Sequence, residues 1–381
     1  MTKRIICLVV TAAFAFVTVA PIWGQVSITP PRASTTSTED DIQKLVDTIN
    51  TDLAGELTGF QNDLNEEIKD YYDLPKLARG VANSGGTATH IGTQRSFIDY
   101  RRFAVVVGAG VGASLPSTDP ARMERIIDDL EKDGDIYFGA AIQPIVASIG
   151  YRPRILSERL FVNAKLGWSN IEEGTVEDGL AFNSLSVGLL ANYRLVGSRA
   201  VPAGVLRWRG LSLGSGVVYQ RNELEFRLED FGRVDDRVTI DEGGQEAAFD
   251  VLIDPVLKAT ATSNSVVIPF ELTTGLRVLW LLDFNVGGGV DLSFGNSEIT
   301  LDVDSPVTAE DVTVNGDEIT FTDGSASVSA GTEEGPQLVR PRLTAGAGLN
   351  LGPFKLDIPV MYYFDEDGNS LMAGVNLGFV W

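Results

Sequence analysis

The chain ends in the stretch Leu371 to Trp381, which reads LMAGVNLGFVW. Every second residue from Leu371 through Val375 to Trp381 is apolar, whereas the positions between them include Gly374 and Asn376. Because successive side chains of a strand point to opposite faces of its sheet, this period of two predicts a strand with one apolar face. The terminal aromatic residue lies in phase with that face, as in the closing strand of an outer-membrane barrel. We therefore expect this stretch to close a transmembrane β-barrel.

The same period of two recurs along most of the chain. Glycine is frequent inside these runs, as expected where barrel walls curve and pack closely. We expect an all-β membrane protein, namely a ~10-stranded antiparallel transmembrane β-barrel over residues 97–381 with an N-terminal amphipathic helical segment. The predicted strands are 101–115, 135–151, 158–171, 180–196, 204–228, 263–278 and 283–301, followed by three within 338–381.

Long and short connections alternate between the predicted strands. The long ones include 116–134, 229–262 and 302–335, and the short ones include 197–203 and 279–282. Outer-membrane barrels have long outer loops and short periplasmic turns. The alternation therefore predicts that the three long connections are outer loops exposed at the cell surface.

Charged residues of the predicted strands fall on the face opposite to the apolar one. A charge exposed to lipid at mid-membrane costs about 2–4 kcal/mol, so we expect these side chains in the barrel lumen. They would either pair across a packed interior or line a polar channel, in which the arginines would favour anions. A barrel of this size has little room for a wide pore, which favours the packed interior. The lumen-lining candidates are Lys165, Arg194, Glu271, Arg277, Asp283, Asp291, Arg340, Arg342 and Asp357.

The chain begins with the features of a secretory signal peptide, predicted for residues 1–24. Lys3 and Arg4 precede an apolar run of 16 residues, which is shorter than the ~20 that a transmembrane helix needs. The only cysteine, Cys7, lies in this run, so the mature chain is predicted to lack disulfides and thiolate metal sites. Export without a spanning helix favours the bacterial outer membrane as the location.

Residues 25–96 form the predicted segment before the barrel. Apolar residues between Ile42 and Tyr71 recur with a mean spacing of about 3.6 residues, which predicts one amphipathic helix. This helix would either pack in the periplasm or insert into the barrel mouth as a plug. The glycine-rich stretch from Gly80 to Thr93 is predicted to be a flexible connector.

The composition argues against several classes of function. The formal net charge is −22, which repels nucleic acid. The only histidine, His90, lies in the connector outside the predicted barrel, whereas a barrel hydrolase needs a histidine near the outer rim as its base. We therefore expect no enzymatic activity, and no catalytic, cofactor-binding or metal-binding residues.

Two of the predicted outer loops are strongly acidic. Residues 229–262 hold nine acidic and three basic residues, and residues 302–335 hold nine acidic residues and no lysine or arginine. Such loops are either a solvated surface or a binding surface for basic ligands. Clustered carboxylates can also bind calcium, but neither loop has the EF-hand spacing.

Two stretches carry a family resemblance, GVLRWRGLSLGSGVVY at Gly204 to Tyr219 and LPKLARGVAN at Leu74 to Asn83. Together with the order of helix before barrel, they resemble the spirochaetal outer-membrane surface-adhesin family of leptospiral and treponemal type. The resemblance implies a surface-exposed barrel that binds host extracellular-matrix proteins, and it assigns no ligand residue. A helical segment before a barrel is also similar in plan to the FadL-type fatty-acid channels.

The first hypothesis is therefore an adhesin that acts through acidic outer loops, with outer-membrane lipid and host extracellular-matrix proteins as its partners. The alternative is a plugged transport channel for small or hydrophobic molecules, similar to FadL-type proteins. A barrel with a purely structural role is a third reading of the same residues. The sequence predicts neither the ligand nor the oligomeric state.

Overall fold

The computed structural model describes residues 23–70, 74–91, 103–115, 139–172, 174, 179–200, 205–229, 234–242 and 244–381. The predicted signal peptide lies outside these ranges except for its last two residues, and the predicted outer loop 116–134 lies wholly outside them. The predicted cleavage point after Gly24 falls inside the first strand.

Strands dominate the described part of the chain, and two helices lie between the second and third strands. Among the described residues, neither helix is long and apolar enough to cross a membrane. The helices are α1 (Asp40–Asp70) and α2 (Leu74–Ala88). The strands are β1 (Trp23–Thr29), β2 (Arg32–Thr35), β3 (Phe103–Leu115), β4 (Gly139–Tyr151), β5 (Leu160–Ile171), β6 (Leu180–Val196), β7 (Arg199–Ala200), β8 (Leu206–Leu228), β9 (Val234–Glu242), β10 (Gln245–Ile253), β11 (Val256–Val278), β12 (Leu282–Ala309), β13 (Val312–Val314), β14 (Asp317–Thr322), β15 (Gly324–Glu334), β16 (Val339–Leu351), β17 (Phe354–Phe364) and β18 (Asn369–Val380).

Antiparallel hydrogen-bond pairing links a set of strands that we call the ring. The pairing runs in the order β12–β11–β8–β6–β5–β4–β3–β18–β17–β16, and β16 pairs in turn with β12. The last strand of the chain, β18, lies between β17 and the first strand of the ring, β3. Just beyond it, the backbone groups of Trp381 and Phe103 exchange two hydrogen bonds.

The two ends of the ring differ in the length of their connections. At the turn end, residues 279–281 and 352–353 join consecutive strands by tight turns, and Trp381 lies beside Phe103. At the loop end lie the connections between β8 and β11 and between β12 and β16, each of which contains further strands.

The two faces of the ring have opposite polarity. Along β12, Phe284, Val286 and Phe294 are 46–56 % exposed, whereas Asp283 and Asp291 are at most 3 % exposed. Every ring strand contributes exposed large apolar side chains to the outer face, because adjacent side chains point to opposite sides of a sheet. A band of apolar side chains therefore surrounds the ring, while its interior is polar and charged.

Strands β8, β11 and β12 continue beyond the ring at the loop end. The first part of β12 pairs with β16, and from Ser297 onward the same edge pairs with β15 instead. Strand β1 pairs with β15, β10 pairs with the end of β12, and β2 joins β13 and β14 in a separate sheet. We call this second region the cap, which comprises residues 23–70, 229–262 and 302–335.

The cap has a hydrophobic core of its own. Ile42, Leu45 and Ile49 recur at helical spacing on α1 and are at most 1 % exposed. They cluster with Phe249 of β10 and Ile319 of β14. The helix is present as the periodicity predicts, and it packs on the cap rather than inside the ring.

The interpretation of residues 229–262 and 302–335 as loops is wrong in part, because strands β9, β10, β13, β14 and β15 occupy much of them. Ala247, Phe249 and Val251 alternate with more exposed residues and face the cap core. This alternation is a strand signal that the many carboxylates of these stretches obscure. The long connections are therefore folded sheet that extends the ring.

Candidate functional site

The interior of the ring contains the second helix. Ala78, Ala82 and Ala88 of α2 are fully buried, and the helix contacts β3, β4, β11, β12, β15 and β18. We call residues 78–91 the lumen segment, in which nine of fourteen residues are Gly, Ala, Ser or Thr. Each glycine inside a helix costs up to ~1 kcal/mol relative to alanine, so packing within the ring rather than intrinsic propensity stabilises this helix.

Glycines in the ring wall allow the helix backbone to approach closely. A Cβ atom at Gly139 in β4 would lie 2.1 Å from the carbonyl oxygen of Gly80. One at Gly112 in β3 would lie 2.9 Å from the carbonyl oxygen of Ser84. Contacts this short do not occur in real structures, so a side chain at either position would displace the helix. The backbone of the helix meets the backbone of the wall here because the wall positions lack side chains.

Arg340 of β16 fixes the middle of α2. Its guanidinium donates hydrogen bonds to the carbonyl oxygen of Asn83 at 2.7 Å and to Thr87 Oγ1 at 2.9 Å. It also pairs with Asp365 at 2.8 Å and lies 4.4 Å from the centroid of the Tyr363 ring. The side chains of Arg340 and Asp365 are both fully buried. Because an unpaired buried charge is costly, the arrangement is stable only as a complete set.

A second set of buried polar groups surrounds Asp291 of β12. Its carboxylate accepts hydrogen bonds from Tyr363 Oη and Arg342 Nε, each at 2.8 Å. His90 Nε2 lies 2.7 Å from the same carboxylate. Arg342 also pairs with Glu271 of β11 at 2.9 Å. These contacts join the lumen segment to four strands of the ring, β11, β12, β16 and β17.

Lys165 of β5 binds the end of the lumen segment. Its ammonium group donates to the carbonyl oxygens of Thr89 and of Ile91, the latter at 2.6 Å. These oxygens follow the C-terminal end of α2, where backbone acceptors without helical partners and the helix dipole both favour a cation. The lysine is 2 % exposed, so its charge is balanced within the lumen.

Around Gly85 and Gly86 the wall of the ring carries hydroxyl groups that the lumen segment does not bind. Gly85 and Gly86 face Ser263, Ser265 and Ser293, whose hydroxyl groups are buried and have no hydrogen-bond partner among the described residues. An unsatisfied buried polar group costs about 1–3 kcal/mol. Water or another polar chain could form hydrogen bonds with these hydroxyl groups, whereas the two glycines have no side chain that could do so. Further such groups nearby are on Ser186, Ser212 and Gln220.

The remaining predicted lumen residues lie nearer the turn end. Asp283 pairs with Arg277 at 2.8 Å and with Arg209 at 3.0 Å. Asp357 of β17 is fully buried, and Arg194 of β6 is partly exposed. The structure thus brings Lys165, Glu271, Asp291, Arg340 and Arg342 together around the lumen segment and leaves these four apart from it.

The lumen segment itself was not predicted from the sequence. The interpretation of Gly80 to Thr93 as a flexible connector is wrong for residues 80–91, because α2 extends to Ala88 and the backbone is bound as far as Ile91. His90 is 1 % exposed inside the ring, not outside the barrel. The recurrence of small residues at a spacing of four, Ala78 and Ala82, is the one sequence signal that points to a closely packed helix.

The cap carries all of the excess negative charge. Residues 23–70 hold ten acidic and three basic residues, 229–262 hold nine and three, and 302–335 hold nine and none. The rest of the chain holds 24 of each, so its formal net charge is zero. A surface of this kind attracts basic segments and repels anionic ones. Exposed carboxylates of the cap include Asp41, Asp47, Asp52, Asp241, Asp304, Asp311 and Asp323.

A cleft of about 300 Å³ opens near the loop end between β5, β6 and β8. Its walls include Glu172, Glu223 and Glu225. Glu225 already pairs with Lys258 at 2.9 Å, and Glu223 pairs with Arg221 at 3.3 Å. The cleft therefore extends the acidic surface of the loop end, with two of its three carboxylates balanced.

Several solved structures are similar to this chain at low sequence identity. The translocator domain of the autotransporter NalP from Neisseria meningitidis is 10 % identical with a TM-score of 0.29, over 79 % of this chain and 99 % of that chain. The toluene transporter TbuX of Ralstonia pickettii is 10 % identical with a TM-score of 0.23, over 80 % and 98 %. The attachment invasion locus protein Ail of Yersinia pestis is 8 % identical with a TM-score of 0.22, over 74 % and 99 %.

Sequence comparison places the chain in a family. No curated protein sequence matches it. A family model described as Lsa36-like matches residues 25–381, which include all of the ring, the lumen segment and nearly all of the cap. The chain therefore belongs to the Lsa36-like family.

Proposed function

We propose that the chain is an outer-membrane β-barrel protein that binds other proteins through its acidic cap. In this proposal the ring is a closed ten-stranded transmembrane barrel whose turn end faces the periplasm and whose cap faces the exterior. The role is adhesion rather than catalysis, and host extracellular-matrix proteins with basic segments are the partners. The observation that carries the proposal is the segregation of charge, since the whole net charge lies on one exposed region.

The outer face of the ring supports the membrane placement. Extended apolar surface on a soluble monomer is rare, whereas membrane barrels require an apolar band. The exposed face of β12 is apolar from Phe284 to Phe294 and carries Glu298 and Asp304 farther along. A tilted strand needs ~9–11 residues to cross a bilayer, so the apolar stretch has the required length and ends where the cap begins.

The filled lumen supports binding over transport as the main role. The lumen segment is held by two buried arginine–carboxylate sets and by Lys165. A solute would have to break several of these bonds to pass. The cap, by contrast, is folded and exposes its carboxylates, so it can bind a basic partner without a conformational change.

Charge-neutralised variants test the adhesin proposal. Asp241, Asp304, Asp311 and Asp323 are exposed on the cap, and their combined replacement by asparagine leaves the cap core unchanged. Binding of the detergent-folded protein to immobilised laminin or fibronectin should weaken at least about tenfold and depend less on salt. The control is Glu158→Gln, which changes an exposed carboxylate at the turn end, away from the cap.

Unchanged binding by the fourfold variant, or an equal loss in the control, would overturn adhesion through the acidic cap. The membrane placement has a separate test. If the mature protein stays soluble and monomeric without detergent, the barrel part of the proposal is wrong.

The hydroxyl-rich wall favours a second candidate function, transport with the lumen segment as a displaceable plug. Ser263, Ser265 and Ser293 lack partners while the helix is in place, and water would satisfy them if it left. Conductance of the full chain in a planar bilayer should then be low and should rise in steps when residues 74–91 are deleted. Silence from both forms, with heat-modifiable migration showing a folded barrel, would exclude this function.

A further inference from the structure

We infer that residues 23–70 reach the cap by passing through the lumen of the chain's own barrel, so that the protein exports its own N-terminal segment. The inference rests on the membrane placement proposed above and adds a second activity, the transport of polypeptide. It starts from a topological fact: residues 23–70 precede the first ring strand, which starts at the turn end, yet they lie at the loop end.

The entry of the chain into the ring is fixed at the loop end. Arg79 pairs with Asp367, in the turn between β17 and β18, at 2.8 Å, and with Glu334 at the end of β15 at 3.4 Å. One residue later, Gly80 lies against Gly139 at the start of β4. The chain therefore leaves the cap, crosses the rim and enters the lumen as α2.

The lumen segment is followed by a ring strand that begins at the turn end. Ile91 lies inside the ring beside Gly110. A Cβ atom added at Gly110 would lie 3.2 Å from the isoleucine side chain. Phe103 begins β3 at the turn end beside Trp381. The eleven intervening residues reach at most ~40 Å, enough to descend the lumen. A route back over the loop end and down the outside would need roughly 60 Å, so Ile91 and Phe103 are within reach of each other only through the lumen.

The partners of residues 23–70 all lie on the loop side. Strand β1 pairs with β15, and β2 pairs with β14. The described apolar side chains of α1, from Ile42 to Leu53, pack against residues of the cap such as Phe249 and Ile319. On the turn side this segment would have no edge to pair with and no surface on which to bury these side chains. Folding onto the cap therefore supplies a free-energy gain after passage and gives the passage its direction.

The chemistry of the segment and of the lumen suits passage in an extended form. Residues 23–91 contain no cysteine, so no disulfide closes a loop too wide for the ring. The lumen accommodates a single helix of small residues, which leaves room for an extended chain but not for a folded domain. Ser263, Ser265 and Ser293 carry hydroxyl groups with no partner in the described part of the chain, and these can bond a passing backbone.

Accessibility of single cysteines tests the route. Thr51→Cys reports on the exposed side of α1, Thr313→Cys on the cap strands that follow the ring, and Leu156→Cys on the turn end. Each is expressed as the full chain with its own signal region in a bacterium with two membranes, and a membrane-impermeant maleimide is added to intact cells. Thr51→Cys and Thr313→Cys should react on intact cells, and Leu156→Cys only after the outer membrane is permeabilised.

A blocking domain tests passage through the lumen. A small disulfide-bonded domain is inserted ahead of Gln25 in the Thr51→Cys chain, and the matched control is the same domain with its cysteines replaced by serine so that it stays unfolded. The folded form should reduce labelling of Thr51→Cys on intact cells about tenfold, while a Thr313→Cys chain with the same insertion stays labelled. The unfolded control should restore the labelling.

Three results would contradict the inference. Equal labelling of Thr51→Cys with the folded and unfolded insertions would mean that the segment does not pass through the lumen. Labelling of Thr51→Cys only after permeabilisation, with Thr313→Cys labelled on intact cells, would place the segment in the periplasm and leave the proposed barrel intact. Absence of Thr313→Cys labelling on intact cells would overturn the membrane orientation, and this inference with it.

Discussion

The cap and the ring are built from the same kinds of residue placed in opposite ways. In the cap, Leu45 and Phe249 lie inside and carboxylates such as Asp241 lie outside. In the ring, Trp168 and its apolar neighbours lie outside, and Arg340 lies inside. The cap follows the rule for a protein in water, and the ring follows the rule for a barrel in lipid. This difference in polarity leads us to expect the cap in water and the ring in lipid.

Strand β12 shows both rules within one element. Up to Phe294 its buried face carries Asp283 and Asp291 and its exposed face is apolar. Beyond Gly295 the buried face carries Ile299 and Val307 while carboxylates lie on the other. The period of two does not change, and only the chemistry of each face is exchanged. The two faces of one continuous strand therefore exchange polarity at Gly295, where the backbone has a φ of 137°.

The largest effect is expected where the ring buries charge. Arg340→Ala removes a cationic partner of the fully buried Asp365 side chain and two hydrogen bonds to the lumen segment. Breaking a buried ion pair costs about 3–5 kcal/mol, so the unfolding free energy in detergent should fall by about that amount. The measurement is urea unfolding followed by heat-modifiable migration.

The control for this prediction replaces both charges. Arg340→Met with Asp365→Asn leaves no unpaired charge and should recover most of the loss. If Arg340→Ala costs less than about 1 kcal/mol, the lumen is hydrated and the ring interior is not the packed, charge-paired region described above.

The cap should respond to the loss of an apolar side chain instead. Leu45→Ala opens a cavity in the cap core, where the leucine is fully buried. Truncation of a buried leucine costs about 2–4 kcal/mol, and here it should loosen α1 without affecting the ring. Hydrogen exchange of α1 should accelerate while heat-modifiable migration stays unchanged. A matching loss of ring stability would mean that the two regions fold as one unit.

The sequence predicts the ring better than it predicts what lies inside it. Each predicted strand stretch overlaps one ring strand, because a period of two needs only neighbouring residues to be visible. The helix α1 is also predicted, because its apolar residues recur every 3.6 positions within one short segment. The contacts of Asn83 and Thr87 with Arg340 join residues more than 250 positions apart, and no local pattern records them. The spirochaetal origin implied by the family resemblance stays a prediction.

A smaller effect should follow from a methyl group on the ring wall. Gly139→Ala places a Cβ atom against the backbone of Gly80, so α2 must shift. Overpacking of this kind costs about 1–3 kcal/mol and should raise protease sensitivity within residues 74–91. The matched control is Gly55→Ala, where nothing lies within 4 Å of the new methyl group and helix α1 should gain up to about 1 kcal/mol. Equal effects of the two changes would remove the evidence for a tight lumen.

The smallest effect is expected for an ion pair on the cap. Lys44 and Asp41 on α1 lie 3.3 Å apart, with side chains 69 % and 72 % exposed. Water screens such a pair, so Lys44→Ala should change the unfolding free energy by less than about 0.5 kcal/mol. The same measurement on Arg340→Ala should give at least several times that value, although both changes remove one cation from one carboxylate. Burial and the further contacts of Arg340 with the lumen segment separate the two cases, so the ratio between them measures how far the ring interior differs from the cap surface. A ratio near one, with salt weakening both pairs equally, would mean that both regions are solvated alike and that the opposite polarity of ring and cap does not reflect two solvents.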